Sequence, residues 1–117
     1  MLNGKAVGSY LGKVEVARGA QQTDGEQSVK AMLLDRGATA NCKPELEIYA
    51  DDVKCAHGAS VGELDAMQLF YAESRGMDRA SARALLLEGF VMGLWDSAQE
   101  PDAICDAARA ALRKVVA

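Results

Sequence analysis

Residues 54–60, KCAHGAS, place a cysteine and a histidine two positions apart, just ahead of a glycine. Sulfur together with nitrogen suits zinc, copper or iron–sulfur chemistry. In a β-strand, residues two apart share a face with Cα atoms roughly 6.6 Å apart, so Cys55 and His57 could point at one region. Two donors do not complete a tetrahedral site. A metal bound here would therefore need ligands from another chain or would be held loosely.

Both residues also have a purely structural interpretation. Cys55 could be a small buried hydrophobe, and His57 an exposed residue at a strand edge without any role. A nucleophilic Cys–His pair is conceivable, but no third residue orients the histidine and no helix N-terminus activates the thiol. The other cysteines, Cys42 and Cys105, make no CxxC pair. A disulfide framework is therefore not indicated, and a reducing cytoplasm is expected.

A second set of residues would suit polysaccharide hydrolysis. Pectin-degrading β-helix hydrolases carry a TDG-type motif, an aspartate pair and an HG motif, and this chain has TDG at 23–25, DD at 51–52 and HG at 57–58. The spacing is wrong, because Asp52 and His57 lie along one stretch of chain and Asp51 would face away from Asp52. Paired carboxylates must flank one bond at a set separation. Hydrolysis therefore stays a remote alternative.

Composition narrows the function classes further. The chain has 117 residues, half of them hydrophobic, and a formal net charge of −4. Its basic residues do not cluster, which argues against nucleic acid and against an anionic membrane surface as partners. The longest apolar stretch is too short to span a bilayer, and the first ten residues lack the apolar core of a signal peptide. No GxxxxGK[ST] phosphate loop occurs, so no nucleotide is expected on this chain.

Residues 1–62 must supply the strand that carries KCAHGAS. Three segments align there without gaps: VEVARGA (14–20), MLLDRGA (32–38) and VKCAHGA (53–59). Periods near 20 residues with a strand and a glycine turn predict stacked coils of a β-solenoid, and an antiparallel meander remains the alternative. Pro44 would begin a further strand at 46–50. Asn3-Gly4 and Asp24-Gly25 are turn signals.

Residues 63–117 have helical spacing of apolar residues and many alanines, which predicts a domain of about three helices. The first would run over about 66–75, with Asp65 as its N-cap and Gly76 as its end. The second would run over about 79–96 after Asp78, and the third would begin at Pro101. The simplest role for their apolar faces is core packing.

Two longer runs resemble a known family. KPELEIYADDVKCAHGASVGELD (43–65) and QLFYAESRGMDRASARALLLEGF (68–90) strongly resemble the C-terminal part of the SufD-type subunit of the Suf iron–sulfur cluster assembly scaffold. The resemblance covers most of residues 20–95, and it favours the D-type over the related SufB-type subunit. It implies the last coils of a right-handed parallel β-helix, residues 1–62, followed by a helical domain, residues 63–117.

The resemblance also implies a function and partners. The chain would be a non-enzymatic scaffold subunit that pairs with a SufB-type subunit and a SufC-type ATPase to build and transfer nascent clusters. His57 would be a cluster ligand shared with the partner subunit, and Cys55 a weaker candidate. The residues expected to contact the ATPase are Phe70, Tyr71, Arg75 and Gly76. The rival hypothesis is a structural adaptor that docks the ATPase without touching metal.

Members of this family are several times longer than this chain. The resemblance therefore implies that residues 1–117 hold only the last coils of the β-helix. A first coil without its upstream neighbour would leave an unpaired, apolar end, so self-association of the isolated chain is expected.

Overall fold

The computed structural model describes residues 1–95, 98 and 101–116. The chain forms two compact units, Met1–Gly62 and Glu63–Ala117. In chain order the elements are the strands β1 (Val7–Val16), β2 (Asp24–Leu33), β3 (Thr39–Ile48) and β4 (Lys54–Glu63) and the helices α1 (Ala66–Ser74), α2 (Arg79–Met92) and α3 (Pro101–Val116). Among the described helices, none combines the length and the apolar character needed to cross a membrane.

The strands pair with the next strand but one. β1 and β3 form one two-stranded parallel sheet, with Val7 opposite Thr39 at one end and Val16 opposite Ile48 at the other, so partners stand 32 residues apart. β2 and β4 form a second two-stranded sheet. Its strands are also parallel, because Gln22 N donates to Asp52 O and then Lys54 N donates to Thr23 O.

The predicted solenoid is wrong: the described strands make two separate two-stranded sheets, without a closed β-helix among them. The antiparallel meander is wrong as well, since the paired strands are parallel. The 18- and 21-residue repeat misled because its three segments do not stack. Val14, for example, lies opposite Leu46 and not opposite Met32 or Val53. Every half-buried strand alternates apolar and polar residues, so alternation aligns strands that are not neighbours. The order of strands before helices is as predicted.

Pro44 lies inside β3, opposite Gly12, and not at the start of a strand as predicted. β3 bonds β1 through backbone N–H groups of odd-numbered residues, seen at Thr39 and at Tyr49 just beyond its end. The nitrogen of an even-numbered residue points the other way, where β3 has no partner among the described strands. Proline is tolerated there because no ladder hydrogen bond is lost.

One of the two predicted turns forms. Asn3-Gly4 makes a turn in which Gly4 adopts a φ of 62° and its N–H donates to Asp35 Oδ2 at 2.8 Å. A positive φ costs glycine little, which explains its place here. Asp24-Gly25, the other predicted turn, instead begins β2.

The helices begin where local capping predicts. The Asp65 carboxylate accepts a hydrogen bond from Met67 N at 2.8 Å, and α1 starts at Ala66. Gly76 follows its end with a φ of 93°, the left-handed conformation of a C-terminal glycine. The Asp78 carboxylate accepts from Ser81 N at 3.0 Å, at the start of α2.

The end of α2 differs from the prediction, and the start of α3 agrees with it. α2 stops at Met92 and is capped by Gly93, short of the predicted residue 96, which lies outside the described residues. Glycine has low helix propensity, so Gly93 offers an end that the apolar spacing did not reveal. α3 begins at Pro101, as predicted.

The helical unit has a small apolar core. Ala82 and Leu87 of α2 are fully buried, and Ala72 of α1 and Leu112 of α3 are nearly so. On the surface, Arg109 Nε of α3 donates to Glu88 Oε1 of α2 at 2.7 Å. Leu87 is therefore the largest fully buried side chain among the described residues.

Leu87→Ala is expected to lower the free energy of unfolding of the helical unit by about 3 kcal/mol, because it leaves a cavity in a closed site. Leu85→Ala is the matched control, since Leu85 lies on the same helix with 54% of its surface exposed; it should change stability by less than about 1 kcal/mol. Urea unfolding followed by Trp95 fluorescence measures both. Equal losses would contradict the assignment of Leu87 to the core.

An ion pair joins the outer faces of β1 and β3. Lys13 Nζ lies 2.9 Å from Glu47 Oε2, and the Tyr49 hydroxyl donates to the same oxygen at 3.2 Å. The hydrogen bond from Lys13, and then its charge, hold the pKa of Glu47 below its ordinary value. The same two effects of Glu47 raise the pKa of Lys13.

The pair is expected to stabilise the sheet across the neutral range. A lowered carboxyl pKa gives stabilisation that is present above the ordinary value of 4.5 and is lost as the pH falls through the folded pKa. A raised lysine pKa gives stabilisation that is present below 10.5 and is lost as the pH rises through the folded pKa.

Lys13→Met is expected to raise the titration midpoint of the Glu47 carboxyl, followed by its 13C shift. Lys43→Met is the control, because Lys43 pairs with Glu45 at 3.0 Å and not with Glu47. An unchanged Glu47 midpoint in Lys13→Met would show that the pair does not form in solution.

Candidate functional site

Both residues of the predicted metal pair lie on β4. Cys55 is half-buried and His57 is exposed, and the strand places the two side chains on one face. The residues after them on β4, from Gly58 to Gly62, are small or apolar and exposed. The imidazole is therefore open to a partner, and no bulky neighbour on its own strand covers it.

The strand next to Cys55 leaves space beside the thiol. A Cβ built on Gly25 of β2 would lie 4.0 Å from Cys55 Sγ, so Gly25 faces the sulfur across the β2–β4 sheet. Glycine at this position keeps the thiol free of a covering side chain. Sequence reasoning predicted a turn here and so missed this neighbour.

Within the part of the chain that the structure describes, no group of three or more His, Cys, Asp and Glu residues could hold a metal ion. Cys42 lies on β3, opposite Tyr10, and therefore belongs to the other sheet. Cys105 lies on α3, in the other unit. The chain thus offers Cys55 and His57 as an incomplete donor set, as their spacing indicates.

The residues of the hydrolase alternative are partly brought together. A hollow of about 270 Å³ between the starts of β2 and β4 is lined by Gln22, Thr23, Asp24, Asp52, Val53 and Lys54. The Thr23 hydroxyl is committed to the carbonyl of Ala20 at 2.8 Å. Spacing along the chain did not reveal that Asp24 and Asp52 line one hollow. His57 and Asp51 are not in its lining, so the complete set does not assemble there.

The helical unit presents an apolar groove at the predicted ATPase contact. The groove has a volume of about 470 Å³ and is lined by Met67, Gln68, Tyr71, Ala72, Arg75, Met77, Leu85 and Leu86. Phe70 lies outside this lining and is 65% exposed; Tyr71 is 60% exposed. The Arg75 guanidinium lies 5.1 Å from the centre of the Tyr71 ring and donates to its hydroxyl at 3.0 Å.

The groove residues therefore form a pre-arranged surface. Cation–π stacking and the hydrogen bond hold Arg75 against Tyr71, which lowers the entropy lost when a partner binds. Gly76, the fourth predicted residue, ends α1 with its left-handed backbone. Its part in this surface is to turn the chain toward Met77 and α2.

Comparison with known proteins places these features in a family. Residues 1–90 match the family model described as SUF system FeS cluster assembly, SufBD core domain. The chain is 48% identical over 88 residues to the chloroplastic protein ABCI7 of Arabidopsis thaliana, which is 75% of this chain and 18% of the relative. It is 40% identical over 97 residues to the iron-sulfur cluster assembly protein SufD of Escherichia coli, 83% of this chain and 22% of that protein.

A SufBD family protein of Synechocystis is 42% identical over 87 residues, 74% of this chain and 19% of its own length. The chain thus spans about a fifth of the length of the curated relatives that it matches. The matched region includes all four strands, α1 and most of α2. The chain therefore belongs to the SufBD core family of the Suf iron–sulfur cluster assembly system, as a member of the SufD type.

Proposed function

We propose that this chain is part of a scaffold on which iron–sulfur clusters are assembled and from which they are transferred. The observation that carries the proposal is the family match over residues 1–90, which contains the strand bearing Cys55 and His57. A relative with 40% identity is named an iron-sulfur cluster assembly protein. The cluster is cargo in this account, and the chain itself catalyses no reaction.

Donor chemistry supports this role. Clusters are usually held by four thiolates. β4 offers one imidazole with one neighbouring thiol, so a SufB-type subunit facing β4 would have to supply the remaining ligands. His57 is the proposed ligand on this chain, and Cys55 is the weaker candidate. A cluster held by a mixed and divided ligand set binds less completely, which suits a scaffold that must release it.

We place the docking surface of a SufC-type ATPase on the groove of the helical unit. Phe70 and Tyr71 supply exposed aromatic area, and Arg75 supplies a cation held against Tyr71. Tyrosine, tryptophan and arginine dominate the energetics of protein interfaces, most strongly where water is excluded. ATP hydrolysis belongs to the partner in this account.

The groove also favours the second candidate function, an adaptor that docks the ATPase and touches no metal. Its apolar lining needs no metal site to be useful. The two functions differ at His57, which only the scaffold needs. The three free thiols favour a reducing compartment for either one, and we propose the cytoplasm.

His57→Ala, introduced into the assembled complex, is expected to cut the cluster yield at least tenfold while folding and subunit pairing stay intact. Removal of a ligand leaves the shared site without its share of donors, whereas an exposed side chain contributes little to stability. Anaerobic reconstitution with iron and sulfide, followed by visible absorbance, measures the yield.

Lys54→Ala is the matched control, because Lys54 is an exposed residue of the same strand that lies three positions away on the opposite face. It should leave the yield unchanged. A normal yield in His57→Ala would contradict the ligand role and would favour the adaptor.

Tyr71→Ala is expected to weaken binding of the SufC-type ATPase about tenfold or more, since it removes the aromatic surface and the support of Arg75. Tyr49→Ala is the matched control: Tyr49 is 54% exposed, close to the 60% of Tyr71, and lies outside the groove. Surface plasmon resonance with the full chain measures both affinities. Equal affinities for the two variants would move the ATPase interface elsewhere.

A further inference from the structure

Gln27 of β2 is a half-buried polar side chain that the account of the site has not used. Its Nε2 donates to the Tyr10 hydroxyl of β1 at 2.9 Å. Its Oε1 is buried and has no hydrogen-bond partner among the described residues. Buried carbonyl oxygens in folded proteins are nearly always paired, so an unpaired one indicates a missing donor.

The amide of Gln27 is held in one orientation. A Cβ at Gly12 would collide with Gln27 Nε2 and with the ring of Tyr10, so the absence of a side chain at Gly12 makes room for both groups. The nitrogen end of the amide is thereby committed to Tyr10. The oxygen end is left to accept a donor from elsewhere.

The register of the first sheet shows how hydrogen bonds mark partners in these parallel strands. Thr39 N donates to Ala6 O, and Thr39 lies opposite Val7, the residue after the acceptor. The donor is therefore opposite the residue that follows the acceptor.

The same rule assigns the partner of Gln27. Lys54 N donates to Thr23 O at 2.9 Å, so Lys54 lies opposite Asp24, the residue after the acceptor. Three positions further along both parallel strands, His57 lies opposite Gln27. The approach of Gly25 to Cys55 Sγ fits this register.

Paired residues on neighbouring strands point to the same face of a sheet and lie about 5 Å apart. Gln27 and His57 are such a pair, and a ring N–H of His57 can reach Gln27 Oε1 when the exposed imidazole turns inward. A neutral imidazole has one N–H donor and one nitrogen lone pair. If the donor is used by Gln27, the lone pair of the other nitrogen is left for a metal, as is common for histidine ligands.

We propose that Gln27 is a positioning residue for His57: its Oε1, oriented by Tyr10, accepts one ring N–H and thereby selects the tautomer whose other nitrogen is free to bind. The purpose of this contact rests on the proposed ligand role of His57. Its test does not, because the tautomer can be measured in the absence of iron.

His57 is the only histidine of the chain, so its ring signals need no assignment. Long-range 1H–15N spectra of the 15N-histidine-labelled chain, recorded where the ring is neutral, give the ratio of the two tautomers. Gln27→Leu is expected to change that ratio about fivefold toward the ratio of free imidazole, the factor that a hydrogen bond of ordinary net strength gives. Gln27→Glu keeps an acceptor oxygen and should restore the bias.

The control is Glu26→Leu, because Glu26 is exposed and lies on the opposite face of β2. It should leave the tautomer ratio unchanged, and circular dichroism checks that each variant folds. A purely structural role for Gln27 would alter stability and not the ratio. The same ratio in the unchanged chain and in folded Gln27→Leu would overturn the proposal, whatever the cluster yield of His57→Ala.

Discussion

The pairing of each strand with the next strand but one is the constraint on which the first unit depends. It divides the four strands between two parallel sheets and sets the 32-residue register that aligns Val7 with Thr39. A shift of one residue would turn every side chain of a strand to the other face. The register of β2 and β4 therefore decides that Gly25 faces Cys55 and that Gln27 lies opposite His57. The candidate cluster site is a consequence of strand register.

Local features of the fold could be predicted from the sequence, and long-range pairing could not. Asp65, Asp78 and Pro101 mark helix starts through interactions with residues close by in the chain, and the structure places the starts there. The choice of strand partner depends on residues about 30 positions away, which alternation does not encode. For this reason a repeat near 20 residues suggested a solenoid, while the structure has two separate parallel sheets.

The candidate site shows the same division. That Cys55 and His57 share a strand follows from their spacing, and the structure agrees. Gln27 belongs to no motif, and its unpaired oxygen is visible only once the side chains are placed. The groove in the helical unit lies between these extremes. Tyr71 and Arg75 came from family resemblance, and their stacking is consistent with four-residue spacing along α1 and its capping residue.

The central claim is that His57 binds a cluster shared with a second subunit. The most direct measurement is pulsed electron paramagnetic resonance of the reduced cluster in a complex assembled from the 15N-histidine-labelled chain and an unlabelled SufB-type subunit. Because the chain has one histidine, any strong 15N coupling must come from His57. The account predicts the coupling of a directly coordinated nitrogen. A cluster formed at normal yield without that coupling would contradict it.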